Sequence, residues 1–274
     1  MGRRKESPSD SAQPNFVVTR HGEYVPTDEF EGPKLKIERA KRHIADFREA
    51  FSALSHSNIM RFEPYVDPET GDDSFKIWQS EPLPSDLRLT AADAIYNLRA
   101  ALDQAACSCA RLAGEPPDGT YFPHGSNKAR FEISLREKCQ KVPEPVRSAI
   151  AALEPYDGGN GYLLRVLHDL NIVDKHRDLI AVGVSLRKLT VTPGQGGLPT
   201  GTVWHRGEDK FEVTNPLVLK AHHDVKITLA VTFTDVKAIE GESVTQVLNQ
   251  ACDLVSRTVL IMEKAMVFYK ISGL

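Results

Sequence analysis

The stretch LRLTAADAIYNLRAALDQAACSCARL, residues 87–112, decides how the chain is read. Ala91, Ile95, Leu98, Leu102, Ala105 and Cys109 recur at three- and four-residue spacing, the period of one helix face. Pro82 and Pro84 stand before the run, and Gly114 stands where a helix would stop. Upstream, Leu35, Ile37, Ala40, Ile44, Phe47, Phe51 and Leu54 follow the same period from Lys34, after Gly32-Pro33. Downstream, shorter helices are expected at 128–141 and 144–153, punctuated by Pro143 and Pro155, and a longer one at 162–177. A last helix over 242–271 carries a Ser243-x-x-Gln246 capping box and turns Val244, Val247, Leu248, Ala251, Val255, Val259 and Met262 inward.

Between these helices the period falls to two. Residues 59–66 and 74–79 are two runs of strand composition separated by Asp67-Pro68-Glu69-Thr70-Gly71-Asp72, which predicts a β-hairpin over 59–79. Val225, Ile227, Leu229, Val231 and Phe233 alternate with polar residues, one face buried and one wet. Similar runs at 180–191, 201–204, 210–213 and 217–221 extend this to an antiparallel meander over 179–236. The expected fold class is α+β: a bundle of about four long helices, an N-terminal β-hairpin, and a five-stranded C-terminal meander followed by the last helix. Residues 1–32 are expected to be a flexible N-terminal segment and 33–274 a single domain, helical over 33–178.

Composition excludes several classes of protein. With 274 residues, 41% hydrophobic and 26% charged, the chain is long and apolar enough to build a core. A net charge of -3 advertises no nucleic-acid or anionic-membrane partner, so any such partner must meet a local patch. No apolar run approaches the roughly 18 residues of a membrane span, so no membrane partner is expected. Cys107, Cys109, Cys139 and Cys252 follow neither a zinc spacing nor a disulfide framework, which fits a reducing, cytoplasmic setting. No cofactor and no metal site is expected.

Several short motifs have bland readings that outweigh the functional ones. Phe16-Val17-Val18-Thr19-Arg20-His21-Gly22 resembles the Arg-His-Gly signature of histidine phosphatases, in which the His takes the phosphoryl group. That family has a mostly parallel sheet and a second His motif that this chain lacks, so coincidence is the stronger reading. The glycines of 196–201 lack the Lys of a phosphate-binding loop. His222 and His223 are adjacent, and neighbouring strand residues point to opposite faces. The basic run Lys34, Lys36, Arg39, Lys41, Arg42 and Arg48 is mixed with acids, as on a solvated helix face.

The informative polar residues lie on two helices. In the 162–177 segment Leu163, Leu167 and Leu170 define a stripe that continues to Asp174 and Arg177, carrying charge inward. Buried charges need partners, and Asn97, Arg99, Asp103 and Gln104 on the 87–112 helix can supply them. One reading is a structural ion-pair network that holds helix register.

Asn97-Leu98-Arg99-Ala100-Ala101-Leu102-Asp103-Gln104, then Phe122-Pro123, then Leu170-Asn171-Ile172-Val173-Asp174-Lys175-His176-Arg177, together resemble an uncharacterised bacterial family, over about 34–184. Most members of that family have His where Gln104 stands. With His there, the string is similar to the Arg-x4-His signature of the HEPN helical-bundle proteins, many of which cut RNA without metal. The resemblance implies a catalytic group of Arg99, His176 and Asp174, with Arg99 on phosphate, His176 moving the proton that Gln104 cannot, and Asp174 orienting the imidazole. Asn97, Asp103, Gln104, Lys175 and Arg177 would bind. The first-ranked function is thus a HEPN-like protein that binds RNA, with metal-free cleavage as its extension. The alternatives are a noncatalytic intracellular protein-interaction module, with a partner protein or a second copy as ligand, and, last, a histidine-type phosphatase.

Overall fold

Eight Ala residues, with Leu87, Leu89, Ile95, Leu98, Leu102 and Leu112, make 85–112 a strong helix former with an apolar surface wide enough to be buried nearly all round. In the computed structural model this segment is the helix α2 (Ser85–Leu112). The structure describes residues 28–54, 60–66, 68, 71, 73–79, 81–176, 182–192, 203–207, 210–214, 224–233 and 237–273. The expected face Ala91, Ile95, Leu98, Leu102, Ala105 and Cys109 is wholly buried. The C-terminus of α2 closes on Gly114, at φ 84, where Gly114 N–H donates to Arg111 O at 2.9 Å and Glu115 N–H to Ala110 O at 3.0 Å. This pair of bonds satisfies carbonyls that the helix leaves open, and the left-handed conformation suits glycine.

The other helices are α1 (Glu31–Leu54), α3 (Lys128–Lys138), α4 (Glu144–Ala151), α5 (Tyr162–His176) and α6 (Val244–Ser272). A 3-10 turn at Asp28–Phe30 precedes α1. α3 is capped by Asn127, whose side chain accepts from Arg130 N–H at 2.9 Å. α4 follows Pro143, and its own Pro145 lies in the first turn, where a missing N–H costs nothing. In α1, Ile37, Ala40, Ile44 and Phe47 are buried as expected, whereas Leu35 is 60% exposed and lies off the buried face.

The α+β expectation is corrected. Among the described residues the fold is mostly helical, with six α-helices that supply most of the buried apolar side chains. Among the extended residues whose side chains are described, Ala230 to Phe233 are buried. Among the described residues the five-stranded meander expected over 179–236 is not formed, and the expected N-terminal hairpin does not stand as a separate unit. β1 (Met60–Val66) pairs antiparallel with β2 (Asp73–Gln79), and the ladder continues to β5 (Lys210–Thr214) and β4 (Val203–Gly207), in the order β1-β2-β5-β4. β3 (Val182–Thr192) pairs separately with β6 (Asp224–Phe233). Alternation marks a segment as extended, but it carries no information about which edge it joins or how much core it fills. The expected strand 217–221 and residues 1–27 of the N-terminal segment expected over 1–32 lie outside the described residues, whereas residues 28–32 form the 3-10 turn and the start of α1, with Phe30 fully buried.

The chain divides into two compact units, each discontinuous in sequence: 1–38, 97–165 and 253–274 form one, 39–96 and 166–252 the other. The first has a core of α2, α3, α4 and α6 side chains, among them Leu98, Leu102, Phe131, Ile150, Val255 and Met262. The second buries Ile44, Phe47, Ile95, Leu167, Leu170 and Phe233. In the first unit Gly125 marks a close approach: its N–H donates to Pro155 O at 3.1 Å, and a Cβ there would lie 2.3 Å from Phe131 N. No helix among the described residues is long and apolar enough to cross a membrane.

Candidate functional site

Four positions apart on α2, Arg99 and Asp103 face the same way. The Arg99 guanidinium donates through Nη2 to Asp103 Oδ1 at 2.6 Å and through Nε to Oδ2 at 3.2 Å, a two-point fork of the kind a planar guanidinium makes with a carboxylate. The same Nη2 donates to the carbonyl of Phe122 at 2.8 Å, and Phe122 N–H donates to Asp103 Oδ1 at 2.9 Å. Both main-chain groups of one residue are therefore held by the ion pair. The guanidinium also lies 5.9 Å from the centre of the Phe122 ring.

This circuit belongs to a longer arrangement. Residues 120–122 run as irregular chain with no ladder to satisfy their carbonyls, and buried carbonyls need donors. Side chains provide them in succession: Cys107 Sγ donates to Thr120 O at 3.3 Å, Cys139 Sγ to Tyr121 O at 3.6 Å, and Arg99 to Phe122 O. Burial pushes the Cys139 thiol up to about 12 and raises Cys107 as well, so both sulfurs keep the proton they donate. Cys109 is also raised by burial. Burial lowers the Arg99 guanidinium, and Asp103 acts against that shift by charge and by hydrogen bond. Arg99 Nη1 is buried with no hydrogen-bond partner.

The remaining expected site residues on α2 are held in the same unit. Asn97 is 7% exposed and accepts from Lys36 Nζ at 3.3 Å. Gln104 is half-buried, and its Oε1 lies 3.3 Å from where a Cβ on Gly32 would stand. Asp174 is half-buried near the end of α5, in the other unit. Lys175 and His176 belong to the last turn of α5, with their side chains outside the described part of the structure, and Arg177 lies outside it altogether. Arg20, His21, the 196–201 glycines, His222 and His223 are likewise outside the described residues.

Sequence reasoning identified Arg99 and Asp103 but not what they hold. The i, i+4 spacing shows the pair, and nothing local shows that the chain at Phe122 comes back to it. The cysteines at 107 and 139 were read only as evidence of compartment, and their role as carbonyl donors has no signature in spacing. Glu263 was also missed: it is fully buried and is met by Lys34 Nζ at 2.7 Å. Among the described residues no group of three or more His, Cys, Asp or Glu is placed to hold a metal ion. Compared with protein-family models, with curated proteins and with solved structures, the chain matches none.

Proposed function

We propose that this protein is a noncatalytic protein-interaction module on a helical frame, in which the polar cluster of α2 is a device for holding chain segments in register. One observation carries the reading: the Arg99 side chain is 6% exposed, and two of its three nitrogens, Nε and Nη2, are bound by Asp103 and the Phe122 carbonyl. A guanidinium that stabilises charge on a phosphate must be able to reach it, and this one is engaged within its own unit. Gln104, where the HEPN-like signature has His, has no proton to exchange in the working pH range. A cytoplasmic location goes with the reading, supported by four free cysteines of which three are buried.

The test is direct. Purified protein and its His176→Ala variant are incubated with total RNA and with tRNA in chelator, and the RNA is examined for 2′,3′-cyclic phosphate ends. Intact RNA in both samples, with both proteins folded, is the expected result. Cleavage by the parent and not by the variant would overturn the reading in favour of a HEPN-like ribonuclease with His176 as its proton-transfer group.

A further inference from the structure

From Asp253 to its end α6 lies in one unit, and its two sides differ. Val255, Val259, Met262 and Met266 are buried on one side. On the other, at 3.6 residues per turn, Arg257, Leu260, Ile261, Lys264, Phe268 and Ile271 fall within an arc of about 100°, and all six are exposed. Phe268 and Ile271 are 59% and 60% exposed, a degree unusual for large apolar residues three residues apart on one helix.

The order of residues along this face is as informative as its exposure. Arg257, Ile261, Lys264, Phe268 and Ile271 follow steps of four, three, four and three, the spacing of a seam that accepts a second helix. Two of the five seam positions are cations. The one acidic residue between 257 and 272 is Glu263, which is buried and held by Lys34, while Asp253 ends the basic stretch one turn earlier. Neither Arg257 nor Lys264 takes part in the ion pairs of the described residues.

We propose that this face docks one acidic amphipathic helix of a partner protein, its apolar side chains meeting Ile261, Phe268 and Ile271 and its carboxylates meeting Arg257 and Lys264. The proposal rests on the interaction-module reading and names the surface and the partner chemistry. A second copy of this chain is disfavoured by the same pattern: in a parallel pair Lys264 faces Lys264, and in an antiparallel pair centred on the seam the two lysines meet near the twofold. An anionic bilayer is disfavoured because interfacial helices keep cations on the polar side of the apolar arc, whereas here Arg257 and Lys264 lie along its middle.

The experiment uses the full chain and two synthetic heptad-repeat peptides with identical leucine positions, one glutamate-rich and one lysine-rich, with binding read by fluorescence anisotropy. The glutamate-rich peptide is expected to bind at least about tenfold more tightly at low salt, with the gap narrowing as salt rises. Phe268→Ser is expected to weaken that binding at least about tenfold, in keeping with a central apolar anchor. The double variant Arg257→Glu with Lys264→Glu is expected to transfer preference to the lysine-rich peptide. All of these positions are exposed, and circular dichroism of each variant checks that the helices stay formed. Equal binding of the two peptides, binding of neither, or no transfer of preference overturns the proposal. So does a dimer in light scattering that Phe268→Ser dissolves, which assigns the face to a second copy, or capture by phosphatidylserine vesicles that Phe268→Ser abolishes, which assigns it to a membrane. RNA cleavage by a parent protein that still discriminates the peptides removes the functional reading and leaves the surface. Intact RNA without discrimination removes the surface alone.

Discussion

Helices α2 and α6 are of nearly equal length, 28 and 29 residues, and each carries an arginine near its middle, yet these two arginines have opposite fates. Arg99 on α2 is turned inward against Asp103 and the chain at Phe122. Arg257 on α6 stands in the open, one turn before the exposed Leu260 and Ile261. The difference follows from what each helix meets. α2 is buried nearly all round, so a charge on it must find partners inside, and an irregular segment with unsatisfied main-chain groups is the natural one. α6 is buried on one side, and its open side retains both the apolar residues and the cations that a partner can use. A polar residue on a buried helix is thus evidence about architecture, and one on an open apolar face is evidence about association.

The comparison is tested most severely at Arg99. Arg99→Met removes the donor to Phe122 O and leaves Asp103 without its cation, and the expected loss is about 3–5 kcal/mol in urea unfolding. Arg99→Lys is expected to recover little of it, since an ammonium cannot reproduce the fork. An Arg99→Met protein as stable as the parent would mean that the circuit does not hold the fold. Asp103→Asn should cost less, about 1.5–3 kcal/mol, because Asp103 is 27% exposed and an amide oxygen can still accept from Phe122 N–H. The double variant should fall short of the sum of the two, and strict additivity would deny their coupling.

The thiols give a pH dependence of definite sign. Cys139 has its folded value raised from 9.0 to about 12, so above pH 9 the unfolded chain loses a proton that the folded one keeps. Stability is then present in full below pH 9 and declines as pH rises towards 12, by about 1.4 kcal/mol per unit for this one group. Cys109, raised in the same direction, adds to the slope. Cys139→Ala should flatten the alkaline limb in a pH series of urea midpoints, and an unchanged slope would remove the thiol from the account. The smallest effect is expected on the open face: Phe268→Ser and Arg257→Gln should each shift stability by no more than about 0.5 kcal/mol. A larger loss would show that this face already packs within the molecule.

Much of α2, α5 and α6 could be read from residue spacing, because a face that must be buried repeats at the helical period whatever lies against it. Leu98 and Leu102, Leu167 and Leu170, and Val255 and Val259 are buried as their spacing implies. Leu35 breaks the rule in the second turn of α1, where an apolar residue off the stripe is exposed. Alternation at 225–233 marked an extended segment, but β6 joins β3, and β2 has Phe211 and Val213 of β5 opposite its Ile77 and Phe75. Residues so far apart in sequence carry no local trace of their pairing.

From its sequence alone, this chain determined where its helices run, where Gly114 stops one of them, and that Arg99 and Asp103 share a helix face. Those features depend on backbone propensity and on periods of three to four residues, which are short-range properties. Only the tertiary structure decided that Thr120, Tyr121 and Phe122 offer their carbonyls to Cys107, Cys139 and Arg99, that Glu263 is buried against Lys34, and that one side of α6 is left open. Which polar group is buried, and beside what, depends on how segments distant along the chain come together, and the free energy of each partnership exists only once they have.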